Sequence, residues 1–464
     1  MTSDSTKGKF SPPPIFYIIA ALLLIGGVSL GGKILNSLPS NSIKINTDAV
    51  KDSMSQGETL FFPKDGTPTK LQAAEAFTSG NYASAQALFD LSLQQKPNDP
   101  EALIYSNNAK AFSRNPLKIA VSIPGSTDIN GSREILRGVA QAQQEINAAG
   151  GINGRLLMVE IANDNNDNKT AQKIAESLVN QSSILGVVGH YASSVTLATA
   201  EIYNQGKLVA ISPISTAVQL SNKSPYVLRT VPSDYVSARA LTDYMLQTLK
   251  LKKAVVYFNS QSEYSKSLKG EFSTAIALQG GQVVGEYDLS NSGLSLNKSL
   301  EEAKQLGAEV IMLASNTDSL DRAFQVVQAN NNRLPVLGGD DVYSPKTLDV
   351  TREQGRGMVI AVPWHILAAG SENFATRSRK LWGGDVNWRT ATAYDATQAL
   401  GTALQPNPTR EGVSVTLHSP LFTASGASGT ISFLPSGDRN APVQLVKVVE
   451  GSRSTYGYDF TPIP

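Results

Sequence analysis

Small polar side chains gather at five places where they could grip a solute: Tyr191 with Ser193 and Ser194, Ile214 with Ser215 and Thr216, Tyr264, Asn316 with Thr317, and Asp340 with Asp341 behind Gly338-Gly339. Short hydroxyl donors that open helices, beside helix N–H groups, suit a carboxylate. Asp340 suits an ammonium group, because a cation stripped of water needs an acidic acceptor. The Gly338-Gly339 pair lets main chain come close to a bound molecule. Together these residues fit a zwitterion held at both ends, with Asp341 expected to point elsewhere. His190, beside the first group, and Asp234 are further candidates to line the pocket.

Other chemistry finds little support. Cysteine is absent and there are 3 histidines, His190, His365 and His418, none sharing a helical turn with another. Disulfides, thiolate catalysis, iron–sulfur clusters and Cys/His zinc sites are therefore excluded. Neither a phosphate loop nor a Gly-x-Ser-x-Gly elbow occurs. The run Asp164 to Asn168 has the look of a calcium loop, but Lys169 replaces the needed glycine and Ala175 the bidentate glutamate. With no nucleophile–base pair visible, neither catalysis nor a metal or cofactor is expected. The 40 basic and 39 acidic residues give a net charge of +1, which argues against a nucleic-acid partner.

Each polar group sits just after a short apolar run, so strands must position them. Leu117 to Ile123 reads as a buried strand, followed by a helix from Arg133 to Ala148, the Gly150-Gly151 stop, an Asn153-Gly154 turn and a second strand from Leu156 to Ile161. Further strands are expected near Ile184–Val188, Leu208–Ile211, Ala254–Phe258, Val283–Tyr287, Val310–Ala314, Pro335–Leu337 and Met358–Val362, separated by helix-period segments. Such alternation predicts an α/β architecture of parallel sheets with helices on both faces. The region is longer than one such core holds, so two lobes are expected. Ligands of doubly wound sheets bind beyond the carboxyl ends of the strands, where the polar groups fall.

The chain opens with a polar leader over residues 1–14, then the uncharged run from Ile15 to Leu30, extended to Leu35 if Lys33 snorkels. The run reads as a transmembrane anchor over 15–35 with the leader cytoplasmic and the bulk outside; a cleaved export signal is the alternative. Residues 36–66, rich in Ser, Asn, Asp, Gly and Pro, read as a linker. Over 67–115, Gly80, Tyr82, Ala85, Phe89 and Pro97 resemble one tetratricopeptide repeat, either closed by a helix carrying Leu103, Tyr105, Ala109 and Phe112 or docked on the next domain. One repeat offers little concave surface, so a helical spacer is expected.

From 116 to 464 six pieces stand in register: Glu145 to Arg155 around Gly150-Gly151-Ile152-Asn153-Gly154, Val188 to Ser194, Ile211 to Thr216, Leu228-Arg229-Thr230 before Ser233-Asp234, Ala393-Tyr394-Asp395-Ala396, and Ser428 to Phe433 leading to Gly437-Asp438. This resembles the branched-chain (Leu/Ile/Val) amino-acid binding proteins of ABC transporters. The resemblance implies a type I periplasmic-binding-protein fold: two doubly wound lobes, three hinge crossings and a ligand trapped between them. Lobe 1 would take about 117–233 and 359–428, and lobe 2 about 234–358 and 429–464.

It also implies roles. Ser193 and Thr216, with the backbone of Ile214, would hold the ligand carboxylate, Asp340 would pair with the ammonium group, and Tyr264 would close over the ligand. Asn316 falls where those binders have a tyrosine, a departure that leaves the side-chain preference open. The expected function is a membrane-tethered, periplasmic or extracellular solute-binding protein. It would capture an amino acid or similar polar solute by lobe closure, for an ABC permease or for sensing. The alternative is a scaffold that binds a protein, since lipoprotein activators of cell-wall synthases share the order of helical repeats before a binding-protein-like domain.

Overall fold

The computed structural model describes residues 51–463; the leader, the expected anchor and the first part of the linker lie outside the described residues. Among the described residues no helix is long and apolar enough to cross a membrane.

Six strands form the first sheet: β1 (Met54–Ser55), β2 (Leu117–Ile123), β3 (Leu157–Asn163), β4 (Ile184–Val188), β5 (Ala210–Ser212) and β6 (Val227–Arg229), in the order β1-β3-β2-β4-β5-β6. All its pairings are parallel except β1 with β3. The second sheet contains β7 (Lys253–Phe258), β8 (Gln282–Asp288), β9 (Val310–Ala314), β10 (Val336–Gly338) and β11 (Val359–Val362). After the small hairpin of β12 (Ala424–Gly426) and β13 (Gly429–Ile431), β14 (Gln444–Glu450) and β15 (Tyr458–Pro462) complete it antiparallel, in the order β15-β14-β11-β10-β9-β7-β8. Helices on both faces bury β2 and β9 along almost their whole length, which is why those strands read as unbroken apolar runs. Ile119, Val121, Ile311 and Leu313 are fully buried, each worth about 1.5–3 kcal/mol relative to exposure.

The chain crosses between lobes three times, and two crossings differ from the sequence expectation. Strand β11 pairs with β10 and β14, so Val359–Val362 belongs to lobe 2, not lobe 1. Conversely, the stretch after β13 is fastened to lobe 1: Arg229 Nε donates to Asp438 Oδ1 at 2.7 Å, and Arg229 N–H donates to the Gly437 carbonyl at 3.0 Å. Lobe 1 regains the chain with the helices Glu372–Trp382 and Trp388–Ala403, and β14 returns it to lobe 2. Apolar periodicity marks a strand without telling which sheet receives it.

Helices α1 (Pro68–Thr78), α2 (Tyr82–Gln95) and α3 (Pro100–Ala111) occupy the region read as a spacer. They are built into lobe 1 rather than held apart from it, because Asn108 of α3 is held at its Oδ1 by Gln143 Nε2 of the helix Ile129–Ala148 at 2.9 Å. Part of the expected linker is likewise structured, Met54 and Ser55 being buried in β1. Asn108 of α3 acts as a substitute strand for β3, donating to the Val159 carbonyl at 2.7 Å and accepting the Val159 N–H at 2.9 Å. Asn147 does the same for Leu157, at 2.9 and 2.7 Å. These amides, with β1, occupy the edge of β3 that would otherwise present unpaired main chain.

The helix Ile129–Ala148 lies so close to the helix Trp388–Ala403 that a Cβ at Gly138 would collide with the Thr390 carbonyl and the Tyr394 N–H. That approach seats Arg389 at the edge of the cleft.

Candidate ligand-binding site

A cavity of about 260 Å³ lies between the lobes, walled by loops that follow the carboxyl ends of β2, β3, β4 and β5 in lobe 1 and of β7, β9 and β10 in lobe 2.

On the lobe 1 side, β4 leads into the helix Ser193–Gln205, whose N-cap Ala192 supplies no side-chain cap. Ser193 and Ser194 in its first turn line the cavity, as does Ile214, and Ser193 Oγ accepts the Ala217 N–H at 3.3 Å. The β5 loop is held by Ser212, whose Oγ accepts the N–H groups of Ile214 and Ser215 at 3.3 and 2.9 Å and donates to the His190 carbonyl at 2.8 Å. Thr216, expected beside Ser193, is 2% exposed, and its hydroxyl is buried without a hydrogen-bond partner. It sits behind the cavity wall rather than in it.

From lobe 2, Tyr264 on the helix Glu263–Leu278 donates its hydroxyl to Asp340 Oδ1 at 2.5 Å. A side chain at Gly339 would strike the Tyr264 hydroxyl and Leu268, so glycine there is what lets the two meet. Asp340 is 7% exposed, and no described residue donates to its other oxygen. Burial first, then the neighbouring Asp341 charge, pushes the Asp340 carboxyl up to about 7. Burial and the Asp340 charge likewise hold the Tyr264 hydroxyl well above its ordinary range, so it remains a donor. Asn316 lines the cavity, but its Oδ1 is already engaged by Asn259 Nδ2 at 2.7 Å and Ser319 Oγ at 2.9 Å.

Asp341 does not point elsewhere. It lines the same cavity, and its Oδ1 meets Arg389 Nη2 at 2.8 Å while its Oδ2 accepts the Thr317 N–H at 3.0 Å. Arg389 belongs to lobe 1, so this ion pair spans the cleft, and Arg389 Nε also donates to the Tyr191 hydroxyl at 3.3 Å. Sequence reading passed over Arg389. One signal was present: a cation in the first turn of a helix opposes the helix dipole and needs a partner.

Two other expected residues serve as supports. His190 is fully buried behind the cavity, its Nδ1 2.6 Å from Asp164 Oδ2 and its Nε2 2.9 Å from the Tyr203 hydroxyl. Asp234 is buried behind Thr216, whose carbonyl accepts its N–H at 2.8 Å, and burial pushes its carboxyl up to about 6. The Asp164–Asn168 loop does turn and cap work: Asp164 Oδ1 accepts the Asn166 N–H at 2.9 Å, and Asp167 caps the helix Asn168–Asn180. Among the described residues no group of three or more His, Asp or Glu side chains is placed to hold a metal ion. A larger concavity of about 430 Å³, where α2 and α3 meet lobe 1, lacks a converging set of buried charges; its Ser106 hydroxyl is already spent on Asp90 Oδ1 at 2.5 Å.

A family profile described as periplasmic binding protein matches residues 116–453. An "Amino acid binding protein" of Pseudomonas aeruginosa is 31% identical over 176 residues, covering 38% of this chain and 47% of that protein, so the match spans about half the length of that relative. Leu/Ile/Val-binding protein homolog 3 of Brucella melitensis is 24% identical over 317 residues, covering 67% of this chain and 84% of that one. An ABC transporter substrate-binding protein from Desulfitobacterium hafniense, solved in complex with Leu, superposes with a TM-score of 0.64 at 23% identity over 75% of this chain and 100% of its own. At that identity the likeness speaks to the fold alone.

Proposed function

The chain belongs to the periplasmic binding protein family, and we propose that it captures an amino acid or closely similar solute between its lobes on the outer side of a membrane. The observation that carries this reading is Asp340: a buried carboxylate with one oxygen committed to Tyr264 and the other without a donor, facing the same cavity as the N-terminus of the helix Ser193–Gln205. Donors for a carboxylate and an acceptor for an ammonium group thus stand on opposite lobes. A zwitterion that satisfies both adds binding energy only when the lobes are closed, and so favours closure.

In this reading the hydroxyl of Ser193 and the backbone of Ile214 receive the ligand carboxylate, Asp340 receives the ammonium group, and Tyr264 covers it. Thr216 reaches the carboxylate only if its loop shifts on binding. The names of the relatives, an amino acid binding protein and a Leu/Ile/Val-binding protein homolog, support the solute class. Delivery to an ABC permease and tethering through Ile15–Leu35 belong to the same proposal.

Thermal denaturation of the full chain with and without each common amino acid tests it. A ligand at a hundred times its dissociation constant should stabilise the protein by about 2.7 kcal/mol. Failure of every amino acid and related small solute to raise the melting temperature would overturn the reading and favour a protein-binding scaffold.

A further inference from the structure

The charges around the cleft do not balance for a ligand with a neutral side chain. Asp128, Asp340 and Asp341 lie close enough to Arg389 for all three to act on its charge. That guanidinium is committed to Asp341 at 2.8 Å. A fourth carboxylate, Asp318, stands at the rim, and no Lys or Arg lines the cavity. The ammonium group of an ordinary amino acid would answer Asp340 and leave Asp128 unanswered. Asp128 uses one oxygen to cap the helix Ile129–Ala148, accepting the Gly131 N–H at 2.8 Å.

The walls are also wrong for an aliphatic side chain. Thr127, Asn165, Asn166 and Gln261 line the cavity, and apart from Ala192 and Ile214 its apolar surface comes from the rings of Tyr191 and Tyr264. Asp340 keeps one oxygen without a donor on the lobe 2 side, and Asp128 stands on the lobe 1 side of the same space. Covering these carboxylates with a leucine side chain would leave them unpaired, whereas a ligand with donors at both ends satisfies them.

Resting on the reading of the cleft as an amino-acid site, we infer that its ligand is an α-amino acid with a second positive charge on the side chain, of the arginine, lysine or ornithine class. The α-ammonium group meets Asp340 on lobe 2. The side-chain cation meets Asp128 on lobe 1.

Calorimetric titration of the full chain with L-arginine, L-lysine, L-ornithine, L-glutamine and L-leucine tests this. At least one basic amino acid should bind ten or more times more tightly than glutamine or leucine. Asp128→Asn keeps a good helix cap, so it should fold with an unchanged melting temperature. It should weaken the best basic ligand at least tenfold while changing glutamine binding less than threefold. Leucine or glutamine binding as tightly as the basic amino acids overturns the charge assignment and leaves the amino-acid site standing. An Asp128→Asn variant that binds its basic ligand like the parent also overturns the assignment, and binding by no amino acid overturns both.

Discussion

Arg389, in the first turn of a lobe 1 helix, reaches across the cleft to Asp341 of lobe 2 at 2.8 Å, with both side chains buried. The pair joins the two lobes beside the cavity that Asp341 lines. Removing one partner of such a buried pair leaves an uncompensated charge, at a typical cost of about 3–5 kcal/mol. Arg389→Met should therefore destabilise the protein by that order, and Arg389→Met combined with Asp341→Leu should recover most of it. Urea denaturation of the parent and the two variants checks this, and a double variant as unstable as Arg389→Met would show that packing, not charge, is at issue.

Asp340 makes the protein's stability depend on pH in a definite direction. Its carboxyl is raised from 3.8 to about 7 in the folded chain by burial and by Asp341, with Asp234 adding to the rise and Tyr264 and Arg389 opposing it. The folded state holds the proton more tightly than the unfolded state, so this contribution is full below about pH 4 and is lost as pH rises through 7. Asp234 and Asp395, both pushed up to about 6, act in the same sense. Asp340→Asn should thus melt higher than the parent at pH 8, with the difference shrinking towards pH 4. A cationic ligand favours ionised Asp340, so its affinity should fall about tenfold per pH unit below 7. Melting curves and titrations from pH 5 to 8 read both effects; an Asp340→Asn difference that does not change with pH would contradict them.

Asn108 pairs with both main-chain groups of Val159. Asn108→Ala leaves an N–H and a carbonyl buried without partners, each worth about 1–3 kcal/mol. A loss of roughly 2–4 kcal/mol is expected in urea denaturation. A chain shortened to begin after α3 should aggregate, because the edge of β3 is then open.

The N-terminal run should remain on the mature protein. Intact-mass measurement of membrane-extracted material is expected to include Ile15–Leu35, and a mature chain beginning after Leu30 would contradict the anchor.

The sequence disclosed strands better than it disclosed their partners. Leu117–Ile123 and Val310–Ala314 were legible to the residue because strands buried on both faces are continuous apolar runs. Ser193, Ile214, Tyr264, Asn316 and Asp340 were found because each follows a strand's carboxyl end, and all five line one cavity. Arg389 follows no strand and comes to Asp341 through the close helix contact at Gly138, which leaves no periodic trace. The two-residue β1 is too short to carry a pattern. Several residues of the family resemblance are clamps within lobe 1. Arg229 holds Asp438, and Asp395 accepts the N–H groups of Ala427 and Ser428 at 2.5 and 3.3 Å.

The central claim is that the cleft holds an amino acid by its ammonium group at Asp340. Calorimetric titration of Asp340→Ala beside the parent, using the amino acid that binds the parent best, tests it most directly. Loss of one member of a desolvated charge pair costs about 2–5 kcal/mol, so affinity should fall roughly 30-fold to several thousand-fold. Binding by Asp340→Ala within threefold of the parent would contradict the account.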